Sequence, residues 1–324
     1  MNNNCGQTGP AAGFEGAAGC PPVITVAICT RNRARYLQQA VASVLPQITA
    51  NTEILIVDNG STDETPRVAA ALATANSCIT FCSEPKPGIA VARNTALARS
   101  KGEYTLFFDD DEIAEPGWLA AYLDFIARHA TARIGCVGGG YVPRFEGPPP
   151  AWFDSSQRFD LGDTEFRIRD KSTPWCGNCA YHRLTALGAG GFCAQLRRYE
   201  DIELNARLAR EGFEIWWLPG ARIQHLIPPE RLTMKKMRQL MFSEGRSVAL
   251  LRLRSLPSNR RRQLYLLARA FAAPWHCGLS LLACAVTWPF RNGQIAARAW
   301  LRAVRIAGFG WQLFQESGRT LFSR

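Results

Sequence analysis

Between Val23 and Phe108 the chain repeats one pattern, a short apolar run followed by an amphipathic segment. The runs are Val23 to Cys29, Glu53 to Val57, Ile79 to Cys82 and Tyr104 to Phe108; the segments between them are Ala34 to Leu45, Asp63 to Ala75 and Ile89 to Ser100. Short apolar strands alternating with amphipathic helices predict an α/β chain, a doubly wound and mostly parallel sheet. Ligands of such sheets lie beyond the carboxyl ends of the strands. The residues at those ends are polar: Thr30-Arg31-Asn32, Asp58-Asn59-Gly60-Ser61 and Asp109-Asp110-Asp111-Glu112. Three loops are therefore expected to converge on one crevice.

Four acids directly behind an apolar strand form the chain's most chemically loaded stretch. If the backbone stays extended, Asp109 and Asp111 project to one side and Asp110 to the other. The first two then suit a hard cation, Mn²⁺ or Mg²⁺, which takes one or two carboxylates and completes its shell with water and phosphate oxygens. The alternative is a solvated acidic turn ahead of a helix around Trp118 to Arg128. No G-x-G-x-x-G or G-x-x-x-x-G-K-[ST] follows any strand, so phosphate would be held by metal and arginine. Arg93, early in the helix behind Pro87-Gly88, is placed to reach the crevice; its plainer role is that of a surface helix residue.

Beyond Asp111 the pattern changes. Ile134 to Val142 reads as a strand, Pro143 to Pro150 as a loop and Trp175 to Asn178 as a polar turn. A helix opens at Tyr199-Glu200-Asp201 and runs to about Arg210; Glu214 to Leu218 and Arg222 to His225 read as short strands. Glu200 and Asp201 are either helix-terminal acids favoured by the macrodipole or, for Asp201, a general base facing the metal. His225 either ligates the metal, holds a diphosphate together with Arg231, or is a structural histidine.

At 324 residues and 47% hydrophobic, the chain has ample material for a core. The first 20 residues lack the basic start and apolar stretch of a secretory signal, and 11 scattered cysteines fit reduced thiols. Cys176-Gly-Asn-Cys179 is the one C-x-x-C pair and lacks a second pair for zinc. Three regions are expected: a disordered tail at 1–22, a catalytic domain at 23–228 and a helical region at 229–324. From Arg252 onward there are 12 arginines against the single acid Glu316, so the whole net charge of +11 resides there. The same segment carries Trp275, Trp288, Trp300 and Trp311, which suits an anionic membrane surface better than nucleic acid. Ala270 to Phe290 is long enough to span a bilayer, where about 20 apolar residues suffice. Arginines on both flanks favour a hairpin or in-plane helix instead, with Arg298, Arg302 and Arg305 on one face and Ala297, Trp300, Leu301, Val304 and Trp311 on another. The expected location is the cytoplasmic side of the cell membrane, peripheral or monotopic.

In family order the chain carries Val26-Ala-Ile-Cys-Thr-Arg-Asn-Arg33, Ile54-Leu-Ile-Val-Asp-Asn-Gly-Ser-Thr-Asp63, Gly88-Ile-Ala-Val-Ala-Arg-Asn94, Phe107 to Asp111, Trp175-Cys-Gly-Asn178 with Gly190-Gly-Phe192, and Glu200-Asp201. This ordered set, over about Val23 to Gly245, resembles the family 2 glycosyltransferases of GT-A fold. The resemblance implies an inverting transfer from a nucleoside-diphosphate sugar to an acceptor hydroxyl, with Asp201 as general base. It implies that Thr30, Arg31, Asp58, Arg93, Asp109 and Asp110 bind the nucleotide sugar, that Asp111, with Asp109, holds the metal, and that the Trp175 to Asn178 turn lies beside the acceptor. The multiple spans and Gln-x-x-Arg-Trp motif of the processive synthases are absent, which points to single addition. The location suggests a glycan or lipid-linked acceptor. A nucleotidyltransferase acting on sugar phosphates would use a similar crevice, and a non-catalytic sugar-nucleotide-binding membrane protein would keep only the binding half.

Overall fold

A computed structural model describes residues 23–154, 161–169, 173–256, 259–287 and 293–322. The expected tail at 1–22 and parts of the Pro143 to Thr173 and Ala270 to Phe290 segments lie outside the described residues. In chain order the elements are β1 (Ile24–Thr30), α1 (Ala34–Val44), β2 (Thr52–Asp58), α2 (Thr65–Ala75), β3 (Ile79–Ser83), α3 (Ile89–Arg99), β4 (Tyr104–Phe108), β5 (Glu112–Ala114), α4 (Trp118–Arg128), β6 (Ile134–Phe145), β7 (Phe166–Ile168), β8 (Asn178–His182), α5 (Arg183–Gly188), α6 (Glu200–Arg210), β9 (Glu214–Ile227), α7 (Met234–Arg254), α8 (Asn259–Thr287) and α9 (Gly293–Phe322).

One sheet runs β3-β2-β1-β4-β8-β6-β9-β5, with β7 paired to β9 beside that row. The mixed, mostly parallel sheet matches the expectation: β1, β2, β3 and β4 are parallel neighbours, and β6 is parallel to β9. β8 is antiparallel to both β4 and β6, and β5 and β7 are antiparallel to β9.

β1, β2 and β4 are apolar along most of their length because both their faces are covered. In β1, Val26 and Ile28 join the core under α1, α2 and α4, while Ala27 and Cys29 join the core under α3 and α6. β2 divides the same way, Ile54 and Ile56 against Leu55 and Val57. A period of two feeding two cores fixes register, since a one-residue slip exchanges the sets. Phe107 is buried edge-on against Tyr181 and Phe192; Phe107→Ala is expected to cost about 3–5 kcal/mol.

Two expectations change. The proline-rich segment does not stop β6 at Val142, which continues to Phe145 by pairing with Ile227. The two short strands around Pro219 are one strand, β9, whose partners carry it past a register irregularity between Gly139 and Tyr141. The C-terminal helices pack on one another, and Gly245 of α7 and Gly308 of α9 permit a backbone-close crossing: a Cβ on Gly245 would strike the Arg305 carbonyl, and one on Gly308 the Phe242 carbonyl. Their described contacts with the sheet domain include Tyr199 with Glu244, Arg298 with Asp154, and Arg254 with Gln195.

Candidate active site

The acids after β4 do not continue the strand. Asp110 and Asp111 lie in a turn closed by the Glu112 N–H donating to the Asp109 carbonyl at 3.2 Å. A turn abolishes the two-residue alternation, so the expected pairing of Asp109 with Asp111, and of Asp110 turned away, is not found. Asp110 and Asp111 share one cation instead: Arg33 Nη1 lies 2.9 Å from Asp110 Oδ1 and 2.7 Å from Asp111 Oδ2. Asp109 faces the other way and meets Arg93 Nη2 at 3.0 Å.

Arg93 is buried in α3, and its second nitrogen donates to Glu200 Oε1 at 2.5 Å. One guanidinium thus ties the acids after β4 to the acids that open α6. Such a buried cation keeps its charge because Asp109 and Glu200 oppose the cost of desolvation. Burial raises the Glu200 carboxyl although Arg93 acts against it. Asp201 is half-buried beside this pair, its two oxygens accepting from the backbone N–H of Cys176 at 3.1 Å and of Ile202 at 2.8 Å.

The turn at Trp175–Gly177 therefore lies between the two acidic groups. Gly177 passes so close that a Cβ there would stand 2.5 Å from Glu112 Oε1 and 2.6 Å from Asp109 Oδ2 and the Tyr141 hydroxyl. Trp175 is 42% exposed at the rim, edge-on to Tyr141 at 5.3 Å. Asn178 is a correction: it is fully buried, and its amide bonds Trp118, Tyr122, Gly140 and Ala221, leaving nothing to offer a ligand. Cys176 and Cys179 are buried thiols that desolvation pushes up, so neither is a ready thiolate.

On the opposite wall, β9 delivers His225 and the turn after it delivers Arg231. Arg231 Nη1 lies 2.5 Å from Asp111 Oδ2, and His225 Nδ1 lies 3.6 Å from Asp111 Oδ1. Burial resists ionisation of Asp111, but Arg231, His225 and Arg33 hold it below the usual carboxylate range. Burial lowers His225 against the pull of Asp111, with Arg231 also pressing it down, so the neutral imidazole is favoured and can offer a lone pair. Its Nδ1 is buried without a hydrogen-bond partner among the described residues.

Among the described residues no group of three or more His, Cys, Asp or Glu side chains is set to hold a metal ion. Two donors, Asp111 and His225, do converge, and such a pair fits a cation that draws its remaining ligands from water and a bound diphosphate. At the end of β2, Asp58 is 2% exposed; its Oδ2 accepts from the Ser61 N–H at 3.3 Å and its Oδ1 has no partner among the described residues. Thr30 donates to Asp110 at 2.8 Å, whereas Arg31 is exposed. Arg33 reaches the acids in its place. Sequence reading missed Arg33 and Glu112; the latter is fully buried, and burial with Asp109 and Asp111 raises its carboxyl far above the usual range.

A glucosyl-dolichyl phosphate glucuronosyltransferase of Haloferax volcanii is 25% identical over 206 residues, 62% of this chain and 65% of that protein. A chondroitin synthase of Pasteurella multocida is 37% identical over 116 residues, 36% of this chain and 12% of that protein. The chain thus spans less than two thirds of the length of either. The solved mannosyltransferase of Pyrobaculum calidifontis, in complex with GDP-Man and Mn²⁺, superposes over 92% of this chain and 88% of its own with a TM-score of 0.62 at 18% identity, a likeness of fold. That fold is the GT-A arrangement of mixed sheet and covering helices. The model of glycosyl transferase family 2 matches residues 25–187, from the first core strand to the helix after β8. With half the chain matched to that model, and the polar strand ends gathered in one crevice, this chain belongs to glycosyl transferase family 2.

Proposed function

We propose that the protein is an inverting glycosyltransferase that moves a sugar from a nucleoside-diphosphate donor to an acceptor hydroxyl. The observation that carries this reading is Arg93 spanning Asp109 and Glu200, which joins the donor-side acids to the helix that bears Asp201. Asp58, with a buried carboxylate oxygen to spare, fits an N–H of the nucleotide base; Thr30 pairs with it at the end of β1 and donates to Asp110 in the turn after β4. Asp111 and His225 would hold Mn²⁺ or Mg²⁺. That cation would neutralise charge developing on the leaving diphosphate. Arg33 and Arg231 add fixed positive charge to the same wall, so less reorganisation is required as the bond breaks.

Asp201 takes the proton of the acceptor hydroxyl as its oxygen attacks C1 of the sugar. The C1–O bond to the diphosphate breaks on the opposite face, and the nucleoside diphosphate leaves with the electron pair. The two backbone N–H groups that Asp201 accepts from fix its orientation. Trp175 at the rim offers an apolar platform to a sugar acceptor.

We further propose an acceptor at a membrane surface. No described helix is long and apolar enough to cross a membrane. The exposed apolar side chains are concentrated on α8 and α9: Trp275 at 70%, Leu282 at 60% and Phe314 at 73%. His276 and Arg302 line a cleft between the two helices. Ala297 is buried, and Trp300, Leu301 and Val304 are half-buried against neighbouring helices, so the apolar face offered to lipid lies on α8 more than the sequence suggested.

The test incubates the protein with Mn²⁺, a panel of nucleotide sugars and a membrane lipid extract, and identifies the nucleoside diphosphate released. Release from one donor, lost in Asp201→Asn and Asp111→Ala, is expected. Release of pyrophosphate, or binding without turnover, sinks the transferase reading. Failure to sediment with anionic liposomes sinks the membrane part alone.

A further inference from the structure

Tyr199, immediately before Glu200 and Asp201, has a left-handed backbone, φ 64°, which bulky residues rarely adopt. No side chain caps the helix it opens. Its ring instead leaves α6, and its hydroxyl donates to Glu244 of α7. The Glu244 carboxylate, with 12% of its side chain exposed, also lies 3.1 Å from Arg305 of α9. The close glycine crossing of α7 and α9 lies at the same level, because Gly245 abuts Arg305 itself. A polar chain thus runs from the membrane-proposed helices to a backbone position two residues from Asp201.

We infer that Tyr199, Glu244 and Arg305 form a relay through which the C-terminal helices position the first turn of α6 and, with it, Asp201. The inference rests on the reading of Asp201 as the base. Tyr199 is a positioning residue: it acts through the orientation of its neighbour. The left-handed φ is held by a partner outside the helix, so loss of that partner removes what selects this conformation over ordinary ones. A base displaced by a fraction of an ångström retains its donor site and loses rate, since transfer depends on near-attack geometry.

Hydrogen exchange on the full chain tests the relay without relying on turnover. Tyr199→Phe, which deletes only the hydroxyl, is expected to raise exchange about tenfold in the amides of the first turn of α6 and to leave α3 unchanged. Arg305→Ala is expected to do the same, and Arg305→Lys to restore most of the protection. In the donor assay Tyr199→Phe should lower kcat about tenfold at constant donor KM. Unchanged exchange in α6, or a loss of protection spread equally over the sheet, overturns the relay. Wild-type protein that releases no nucleoside diphosphate counts against the proposed function, and the exchange pattern then decides the relay by itself.

Discussion

Arg231 holds Asp111 from 120 residues away in sequence, Nη1 to Oδ2 at 2.5 Å, and the same nitrogen lies 3.3 Å from His225 Nε2. An arginine can only donate, so in this arrangement the proton of the neutral imidazole sits on Nδ1, facing Asp111. A cation bound at Nδ1 needs the other tautomer. When a metal binds, Arg231 must therefore give up its bond to His225 Nε2, while its charge stays on the wall that faces the diphosphate.

Arg231→Met is accordingly expected to tighten Mn²⁺ binding to the nucleotide-free protein by roughly tenfold, about 1.4 kcal/mol, and to weaken nucleoside diphosphate binding by a similar factor. Calorimetric titration with Mn²⁺, then with UDP and GDP in its presence, gives both numbers. Equal weakening of both would show that Arg231 only props the site open.

Arg93 is 5% exposed between two carboxylates. Arg93→Met should destabilise the fold by about 3–5 kcal/mol, because it leaves Asp109 and Glu200 facing each other with no cation. Adding Glu200→Gln should recover part of that loss, which chemical denaturation of the single and double variants measures as a coupling energy. Strict additivity would mean the guanidinium acts alone.

Gly177→Ala places a methyl 2.5 Å from Glu112 Oε1. Overpacking of this kind costs about 1–3 kcal/mol, and here the strain falls on Asp109 and Tyr141 as well. Turnover is expected to fall at least tenfold in an enzyme that still melts cooperatively; wild-type kinetics in this variant would place the Trp175 turn outside the working site.

His182 caps α5 through Nδ1, accepting from the Thr185 N–H at 3.3 Å. Burial, with Arg183 nearby, lowers its pKa against the pull of Glu103. The unfolded chain binds the proton more readily, so the contribution of His182 is complete above pH 6.5 and is lost as pH falls through the lower folded value. The melting temperature should fall between pH 7.5 and 5 by a step that is absent in His182→Asn, since asparagine caps at every pH.

The first four strands could be read to within a residue because each is a short, locally apolar run; β4 is found at Tyr104–Phe108 as expected. Strand order was not legible. Nothing in the residues of β8 says that it enters antiparallel between two parallel neighbours, since that depends on partners 40 to 80 residues distant. Asp58, Arg93, Asp109, Asp111, Asp201, His225 and Arg231 were all named from sequence. Their pairings were not, because Asp109 to Asp111 turn where an extended chain was assumed. Of Arg31, Arg33 and Arg35, the sequence pointed to Arg31. Only the entry angle of α1 selects Arg33, which leaves Arg31 and Arg35 exposed. Glu112 reads as one more acid in a run, and its burial comes from pairing with β9 at His225.

Asn178 anchors β8 to the strand edges of β6 and β9 and to the rings of Trp118 and Tyr122, immediately after the turn that hangs on Asp201. That turn is therefore pinned at both ends by bonds that no residue between 143 and 173 contributes, apart from its entry. The turn and Asp201 therefore shift together or not at all, and the rim at Trp175 inherits the rigidity of the core beneath it.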